Sequence, residues 1–265
     1  MRTGYGLASV LGVVLLGGGL LHGTASGKEK PIVRVATITG LKPEKAEYYR
    51  KLHAAPWPKV LKRLKDSNIR NYSIYQKDIE GRPYLFSYFE YTGKDWDRDM
   101  ARVGKDETIR KWWKETDPCQ DPLPRAAKRN EIWDGMEEVF HTDGASDVKP
   151  AKQVQRFGTI TGLKPEKEAH YRTLHATAWP EVLKQIKAAH IRNYSIYLKD
   201  IGDKLYLFSY FEYIGDDFKG DMARLAADPT IRRWWKQTDP CQLPFPEARK
   251  KGEIWEGMDE VFYME

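Results

Sequence analysis

The sequence lacks the motifs of most cofactor-dependent and covalent enzymes. It contains no dinucleotide-binding glycine fingerprint, no phosphate-binding Walker loop, no Gly-x-Ser-x-Gly nucleophile elbow and no His-Glu-x-x-His zinc motif. Cysteine is scarce as well, because the only two, Cys119 and Cys241, lack the nearby histidines that a zinc site needs. These absences argue against nucleotide, serine-hydrolase and zinc chemistry, and we expect neither a cofactor nor a metal.

The charge of the chain is balanced rather than concentrated in one region. Lys and Arg number 44 against 38 Asp and Glu, and the net charge of +6 is spread along the sequence. Short basic groups, such as Arg125 with Lys128, lie in proline-rich stretches that are typical of solvated surface. Because no zinc finger or RNA-binding aromatic motif accompanies them, we expect no nucleic-acid partner.

Long apolar runs are absent except near the N-terminus. Leu7 to Leu21 is uncharged, Arg2 precedes it, and small residues follow at 23–27. This order is typical of a secretory signal peptide, which we predict at residues 1–26, and the run is short for a membrane-spanning helix of about 20 residues. We therefore expect an exported protein, periplasmic or secreted, without stable membrane insertion after cleavage. An uncleaved N-terminal anchor is the alternative.

Two copies of one unit make up the rest of the chain. Residues 41–120 align without a gap to residues 163–242, and 52 of these 80 positions are identical. Self-similarity of this extent indicates a duplicated domain. We predict the two domains at 30–141 and 152–265, joined by a polar linker at 142–151.

The two cysteines occupy matching positions of the repeats, each within Thr-Asp-Pro-Cys-Gln. An exported protein can form a disulfide. Cys119 and Cys241 could meet, however, only if both lay near the axis that relates the repeats. Two separate buried thiols are therefore favoured over a disulfide.

The apolar periodicity changes in the same order within each repeat. In the first repeat we predict a strand, a helix broken by prolines, a hairpin of two strands, a second helix and a last strand. These elements cover, in order, residues 32–38, 43–64, 69–75 with 84–91, 95–115 and 137–141. This β-α-β-β-α-β order is the ferredoxin-like plan. We predict an α+β fold of two ferredoxin-like units packed as an intrachain pseudo-dimer, a dimeric α+β barrel, which is compatible with a monomeric chain.

Only one pair among the six histidines occupies matching positions, namely His53 and His175. Each follows a tyrosine by four residues, Tyr49 or Tyr171, and therefore shares a helical face with it. Histidine suits general acid–base catalysis because its ordinary pKa is about 6.5. The alternative is a structural histidine bonded to a backbone carbonyl.

Further aromatic residues match between the repeats. They are Tyr72, Trp112 and Trp113 in the first, and Tyr194, Trp234 and Trp235 in the second. Adjacent tryptophans on a helix point about 100° apart, so one of each pair is expected to line a pocket or an interface. Aromatic rings suit a sugar, whose C–H faces pack on them, although core packing is the alternative for each ring. Nearby carboxylates are interpreted as mostly structural; they are Asp117, Glu138, Asp239 and Glu260.

Four motifs recur in the same order in both repeats. They are Tyr-x-x-x-His-x-x-x-Trp-Pro, Asn-Tyr-Ser-Ile-Tyr, a Trp-Trp pair between basic residues, and Glu-Val-Phe near the end. This series resembles the L-rhamnose mutarotase family over nearly all of each repeat. The resemblance implies a dimeric ferredoxin-like α+β fold and a cofactor-free isomerase that interconverts the α and β anomers of L-rhamnose or a related monosaccharide.

The resemblance also assigns roles to single residues. The family's catalytic histidine corresponds to His53 and His175. Its sugar-binding residues correspond to Tyr49, Tyr72, Trp112, Trp113, Tyr171, Tyr194, Trp234 and Trp235. Three features depart from the family pattern, whose members are usually single units inside the cell. This chain has two units behind a predicted signal peptide, alanine replaces the asparagine that follows the histidine, and Asp-Pro-Cys-Gln follows the Trp pair.

These roles lead to a mechanistic hypothesis. His53 protonates the ring oxygen while a water or a tyrosine removes the proton of the anomeric hydroxyl, and His175 repeats this in the second unit. One alternative is an exported, non-catalytic sugar-binding protein. Another is a cofactor-free oxygenase of the related dimeric α+β barrel type.

Overall fold

The computed structural model describes residues 32–265, so the predicted signal peptide at 1–26 lies outside the described residues. The chain forms two compact units, one containing the residues up to Met136 together with Asp259–Glu265, and the other Glu137–Met258. Each unit combines one antiparallel sheet with short helices, which confirms the predicted α+β class with two ferredoxin-like units. Within the described part of the chain, no helix is long and apolar enough to cross a membrane.

The first repeat alternates strands and short helices. Its strands are β1 (Val33–Leu41), β2 (Ile69–Ile79), β3 (Arg82–Tyr91), β4 (Gln120–Asp121), β5 (Asp134–Gly135) and β6 (Glu137–Gly144). Its helices are α1 (Ala46–Ala54), α2 (Pro58–Asp66), α3 (Trp96–Lys105), α4 (Glu107–Thr116) and α5 (Pro124–Lys128). A 3₁₀ turn, Asp117–Cys119, continues from the end of α4.

The second repeat follows the same plan. Its strands are β7 (Gln155–Leu163), β8 (Ile191–Ile201), β9 (Lys204–Tyr213), β10 (Gln242–Leu243), β11 (Glu256–Gly257) and β12 (Asp259–Met264). Its helices are α6 (Glu168–Ala176), α7 (Pro180–Ala188), α8 (Phe218–Ala227), α9 (Pro229–Thr238) and α10 (Pro246–Lys250). The matching 3₁₀ turn is Asp239–Cys241.

The predicted hairpin and the proline break are both confirmed. Glu80 and Gly81 connect β2 to β3 with positive φ angles of 52° and 79°, the combination that a tight two-residue hairpin turn requires. The first predicted helix is divided between α1 and α2, because Pro58 begins the second of them.

The prediction of one continuous helix over 95–115 is wrong. The backbone of Asp106 is extended, with ψ 128°, and separates α3 from α4. Its carboxylate accepts a hydrogen bond from the N–H of Ile109 at 3.1 Å, which caps the start of α4. Asp228 caps α9 in the same way. The apolar periodicity of the sequence continues across the break, because each of the two helices buries apolar residues, such as Val103 of α3 and Ile109 of α4.

Each repeat contributes its last strand to the sheet of the other repeat. β12 pairs with β2, in a sheet of order β12-β2-β3-β1-β4, and β6 pairs with β8, in a sheet of order β10-β7-β9-β8-β6. The free edges of β1 and β7 are covered by short strands of their own repeats. The predicted domain borders therefore describe the sequence repeats. Each compact unit consists of one repeat without its last strand, together with the last strand of the other repeat. β6 also extends to Gly144, into the predicted linker.

The exchanged strands bury one phenylalanine each. Phe262 of β12 belongs to the hydrophobic cluster that contains Tyr49 and Trp112, and Phe140 of β6 belongs to the cluster that contains Tyr171 and Trp234. Cys119 and Cys241 are both buried and unpaired, as favoured from the sequence. The exchange therefore brings part of each core, and part of each candidate site, from the other repeat.

Candidate active site

A stacked tyrosine and histidine form the centre of the site in each unit. The rings of Tyr49 and His53, one turn apart on α1, stack with centroids 4.1 Å apart, and Trp112 of α4 lies edge-on to the histidine at 5.3 Å. In the second unit, His175 stacks on its tyrosine at 4.1 Å and meets Trp234 at 5.3 Å. The centre is therefore duplicated with nearly the same geometry.

A backbone carbonyl fixes the tautomer of each histidine. Nδ1 of His53 lies 3.0 Å from the carbonyl oxygen of Tyr49, and His175 has the same contact with Tyr171. A carbonyl oxygen only accepts hydrogen bonds, so Nδ1 carries the hydrogen and Nε2 of the neutral ring is an acceptor. The carbonyl bond foreseen for a structural histidine is therefore present, but it occupies only one of the two ring nitrogens.

Both histidines are neutral at physiological pH. Burial lowers the pKa of each to about 4, and the hydrogen bond to the tyrosine carbonyl opposes this only in part. No carboxylate is hydrogen-bonded to either ring among the described residues. The Nε2 atoms therefore provide a free lone pair over most of the pH range in which the protein would work.

A pocket of about 570 Å³, part of it open to solvent, contains His53. Predicted site residues of the first unit all line it, namely Tyr49, Tyr72, Trp112 and Trp113. The expectation that one tryptophan of the pair would face a pocket is therefore too narrow, because both line it. The binding roles of these residues stay predictions.

The second unit brings together most of the matching residues. Phe140 lies 5.5 Å from both His175 and Tyr194, and so connects them to the stacked centre. Trp235 is the exception, with 38% of its surface exposed, whereas its counterpart Trp113 is only 7% exposed. The two sites thus share an inner part and differ at the rim.

Sequence reasoning did not assign the phenylalanine of Glu-Val-Phe to the site. Phe262 lies 5.6 Å from His53 and 5.4 Å from Tyr72, and it lines the pocket of the first unit. The signal in the sequence was the recurrence of this motif in both repeats. This recurrence did not indicate that the first site receives its phenylalanine from the second repeat.

Two polar residues of Asp-Pro-Cys-Gln also line the pocket, Asp117 and Gln120. Burial raises the pKa of Asp117 to about 7, although the Thr116 hydroxyl opposes the shift, and burial raises the pKa of Asp239 in the second unit. The carboxylate of Glu138, by contrast, accepts a hydrogen bond from the hydroxyl of Tyr197 at 3.1 Å, which agrees with the structural role expected for it.

A metal-binding cluster is not formed by the described residues. Within residues 32–265, no group of three or more His, Cys, Asp or Glu side chains is arranged to hold an ion. The site instead offers one neutral imidazole, one buried carboxyl group, phenol and indole donors, and an aromatic wall. Such a set can bind a small polyhydroxylated ring and move protons on it.

One protein family matches both repeats. The sequence profile of L-rhamnose mutarotase matches residues 34–142 and again residues 156–264. An L-rhamnose mutarotase of Phocaeicola vulgatus is 34% identical over 104 residues, which cover 39% of this chain and 91% of that protein. One of Listeria monocytogenes serotype 4b is 28% identical over 111 residues, covering 42% of this chain and 99% of that protein. The crystal structure of an L-rhamnose mutarotase from Formosa agariphila is 25% identical and covers 42% of this chain and 98% of its own, with a TM-score of 0.32.

Proposed function

Because the chain belongs to the L-rhamnose mutarotase family, an isomerase family that acts on carbohydrates, we propose that each unit interconverts the α and β anomers of L-rhamnose or a closely related monosaccharide. The sugar ring would pack against the Trp112 and Trp113 wall and donate or accept hydrogen bonds at Tyr49 and Tyr72. His53 would exchange protons with the anomeric centre. His175 would repeat this reaction in the second unit.

The observation that carries the proposal is the recurrence of the stacked histidine in two sites. Each imidazole has the same tautomer, set by a carbonyl 3.0 Å away, and the same tyrosine at 4.1 Å. A ring that opens and closes needs only proton transfer at two oxygens, because no bond to the enzyme forms. A neutral imidazole held between aromatic rings supplies such a group, and general acid–base catalysis typically contributes about 10²–10⁴-fold.

We further propose that the protein acts after export, in the periplasm or outside the cell. The basis is the charged, apolar and small-residue order of residues 1–26, which is typical of a signal peptide. N-terminal sequencing of the protein recovered from cell fractions tests this. A cytoplasmic protein that retains residues 1–26 would contradict it.

NMR exchange between anomers tests the reaction and selects the sugar. The wild-type protein is added to equilibrated L-rhamnose, L-fucose, D-mannose and D-glucose, and the transfer of saturation between the two anomeric protons is measured. We expect accelerated exchange for L-rhamnose or a deoxy sugar of similar shape. The double variant His53→Gln with His175→Gln should lose about 10²–10⁴-fold of the acceleration.

His190 of the second repeat provides a matched control. His190→Asn introduces the residue found at the matching position 68 of the first repeat, outside the pocket, and should leave the exchange rate unchanged. Unaltered exchange in the His53 and His175 double variant would refute the site assignment. Binding of sugars, seen by calorimetry, without any exchange would favour a non-catalytic sugar-binding protein instead.

A further inference from the structure

The tautomer of His53 leaves Nε2 of its neutral imidazole without a proton to donate to the sugar. Ring opening requires a base at the anomeric hydroxyl and an acid at the ring oxygen. The neutral imidazole has its hydrogen on Nδ1, which is bonded to the Tyr49 carbonyl, so Nε2 can accept a proton but has none to give. A second group in the same pocket must therefore supply the acid, which reverses the role expected for histidine from the sequence.

Asp117 lines the same pocket as His53. On α4 and its continuation, Asp117 follows Trp113 by four residues, so both project from the same helical face, and both line the pocket with His53. Helix α1, which carries the histidine, packs against the 3₁₀ turn that begins at Asp117. Within the described residues no lysine, arginine or histidine forms a salt bridge with this carboxyl group. The Thr116 hydroxyl forms a hydrogen bond with it.

We propose that Asp117 is the catalytic acid of the first site and Asp239 that of the second, with His53 and His175 as the bases. This proposal rests on the proposed function. Nε2 of His53 takes the proton of the anomeric hydroxyl, the bond between the anomeric carbon and the ring oxygen breaks, and the ring oxygen takes the proton of the Asp117 carboxyl group. The open aldehyde then rotates about its bond to the neighbouring carbon.

Ring closure reverses these transfers on the other face of the aldehyde. The Asp117 carboxylate recovers its proton from the hydroxyl that attacks, and the imidazolium of His53 returns its proton to the former carbonyl oxygen. Both groups are then in their starting states, so no further reactant is consumed. The intermediate pairs a buried imidazolium with a buried carboxylate, and each charge stabilises the other.

The ionisation of the surrounding groups agrees with these roles. Burial raises the pKa of Asp117 to about 7 and lowers that of His53 to about 4, so the pair of a protonated acid and a neutral base predominates between these values. The other titratable groups next to Asp117 are Tyr49 on α1 and Cys119 on its own turn. Burial raises the pKa of both, and they stay uncharged in this range.

Gln120 gives a second indication that a polar ligand occupies this part of the pocket. Its Nε2 donates to the carbonyl oxygen of Thr116 at 3.3 Å, which orients the amide, and its Oε1 is buried without a hydrogen-bond partner. Gln242 repeats the unpartnered Oε1 in the second unit. A buried acceptor without a partner costs free energy, and a hydroxyl group of a bound sugar would satisfy it.

The pH dependence of L-rhamnose exchange in the double variant Asp117→Asn with Asp239→Asn tests the proposal. In the wild type, exchange should be constant between about pH 4 and 7 and should fall about tenfold per pH unit above pH 7. In the variant we expect a loss of about 10²–10⁴-fold at pH 6. The remaining exchange should be flat from pH 5.5 to 9, because only the neutral histidine is then required.

This profile separates the two assignments of acid and base. If histidine were the acid and aspartate the base, the variant would require an imidazolium, and its exchange would fall about tenfold per unit above pH 4. That slope, or exchange within twofold of the wild type, would overturn the proposal. A wild type that exchanges no sugar would instead refute the proposed function, so the two failures are distinguishable.

Folding is checked in the same samples. Because burial disfavours the ionised form of Asp117, its contribution to stability is complete below about pH 4 and is lost as the pH rises through about 7. The asparagine variant should therefore melt at a higher temperature than the wild type at pH 8. Glu115→Gln is the matched control, since it removes a carboxylate of α4 outside the pocket and introduces the residue of the second repeat at position 237. It should leave exchange unchanged.

Discussion

The two sites have the same centre and different rims. Around the histidines, the distances to the tyrosine, the tryptophan and the carbonyl agree within 0.1 Å between the units. At the rim, Trp113 is 7% exposed and belongs to the same hydrophobic cluster as Trp133, whereas Trp235 is 38% exposed. Duplication has therefore preserved the groups that would move protons, while access to them has diverged.

One ion-pair cluster accounts for part of the difference. Arg129, in the loop between α5 and β5, lies 2.7 Å from Glu131 and 2.9 Å from Asp134, and both carboxylates are nearly buried. The second repeat has Lys251 at the position of the arginine. A lysine cannot bind two carboxylates with a planar fork. The first repeat therefore has a contact between one arginine and two carboxylates, on either side of Trp133 in the sequence, that the lysine of the second repeat cannot reproduce.

Variants with a single working site should show whether the different rims give the two sites different substrate ranges. His53→Gln leaves only the second site, and His175→Gln leaves only the first. We expect similar exchange of L-rhamnose by both, within about threefold, because the centres match. For a disaccharide with rhamnose at its reducing end, exchange by His53→Gln should be about 10–100-fold faster than by His175→Gln, since the exposed Trp235 leaves room for a second ring.

NMR saturation transfer on each sugar measures these rates, with the double histidine variant as the background. A first site that exchanges the disaccharide as fast as the second would show that the buried Trp113 does not limit access. Equal discrimination by both sites would mean that the rims differ without consequence for the ligand.

Arg129→Lys should make the first rim resemble the second. The lysine keeps the charge but loses the simultaneous contacts with Glu131 and Asp134, and we expect about 1–2 kcal/mol less stability. Amide hydrogen exchange at residues 129–135 should become faster, and so should the exchange of the disaccharide by the first site. Lys251→Arg is the matched control and should slow amide exchange at residues 251–257. Unchanged amide exchange in Arg129→Lys would show that other contacts hold this loop.

The order of elements and the centre of each site were predictable because they depend on local signals. Proline positions divide α1 from α2, Gly81 permits the hairpin turn, and spacing by four residues stacks Tyr49 on His53. Comparison of the two repeats distinguished His53 and His175, which occupy matching positions, from the four other histidines. The sequence therefore contained the groups that define the proposed chemistry, although not their protonation.

The exchange of the last strands was not predictable, for a physical reason. Both last strands contain Glu-Val-Phe, and both partner strands contain Ile-Arg-Asn-Tyr-Ser-Ile-Tyr, so either pairing satisfies the same hydrogen bonds and buries the same phenylalanine. The choice depends on chain connectivity, because the short strands cover β1 and β7 in the same way and leave the edges of β2 and β8 equally open. The burial of Asp117 was not predictable for a similar reason, since this residue shares its pocket with residues distant in the sequence, such as Tyr49 and Phe262.

Removal of one carboxylate on each exchanged strand should show a smaller difference between the units. Glu137 of β6 accepts two hydrogen bonds from Arg172, at 2.6 and 2.9 Å, whereas Asp259 of β12 has one contact with Arg50 at 3.3 Å. We expect Glu137→Gln to cost about 0.5–1 kcal/mol in urea unfolding at pH 7 and Asp259→Asn less than half of that, because both pairs are partly solvated. The hydrogen bonds from Arg172 lower the pKa of Glu137, so its contribution is present above about pH 4.5 and is lost as the pH falls through the lowered value. The difference between the variants should therefore shrink as the pH falls below about 4.5. An equal or larger cost for Asp259→Asn at pH 7 would show that this bidentate pair does not distinguish the two exchanged strands.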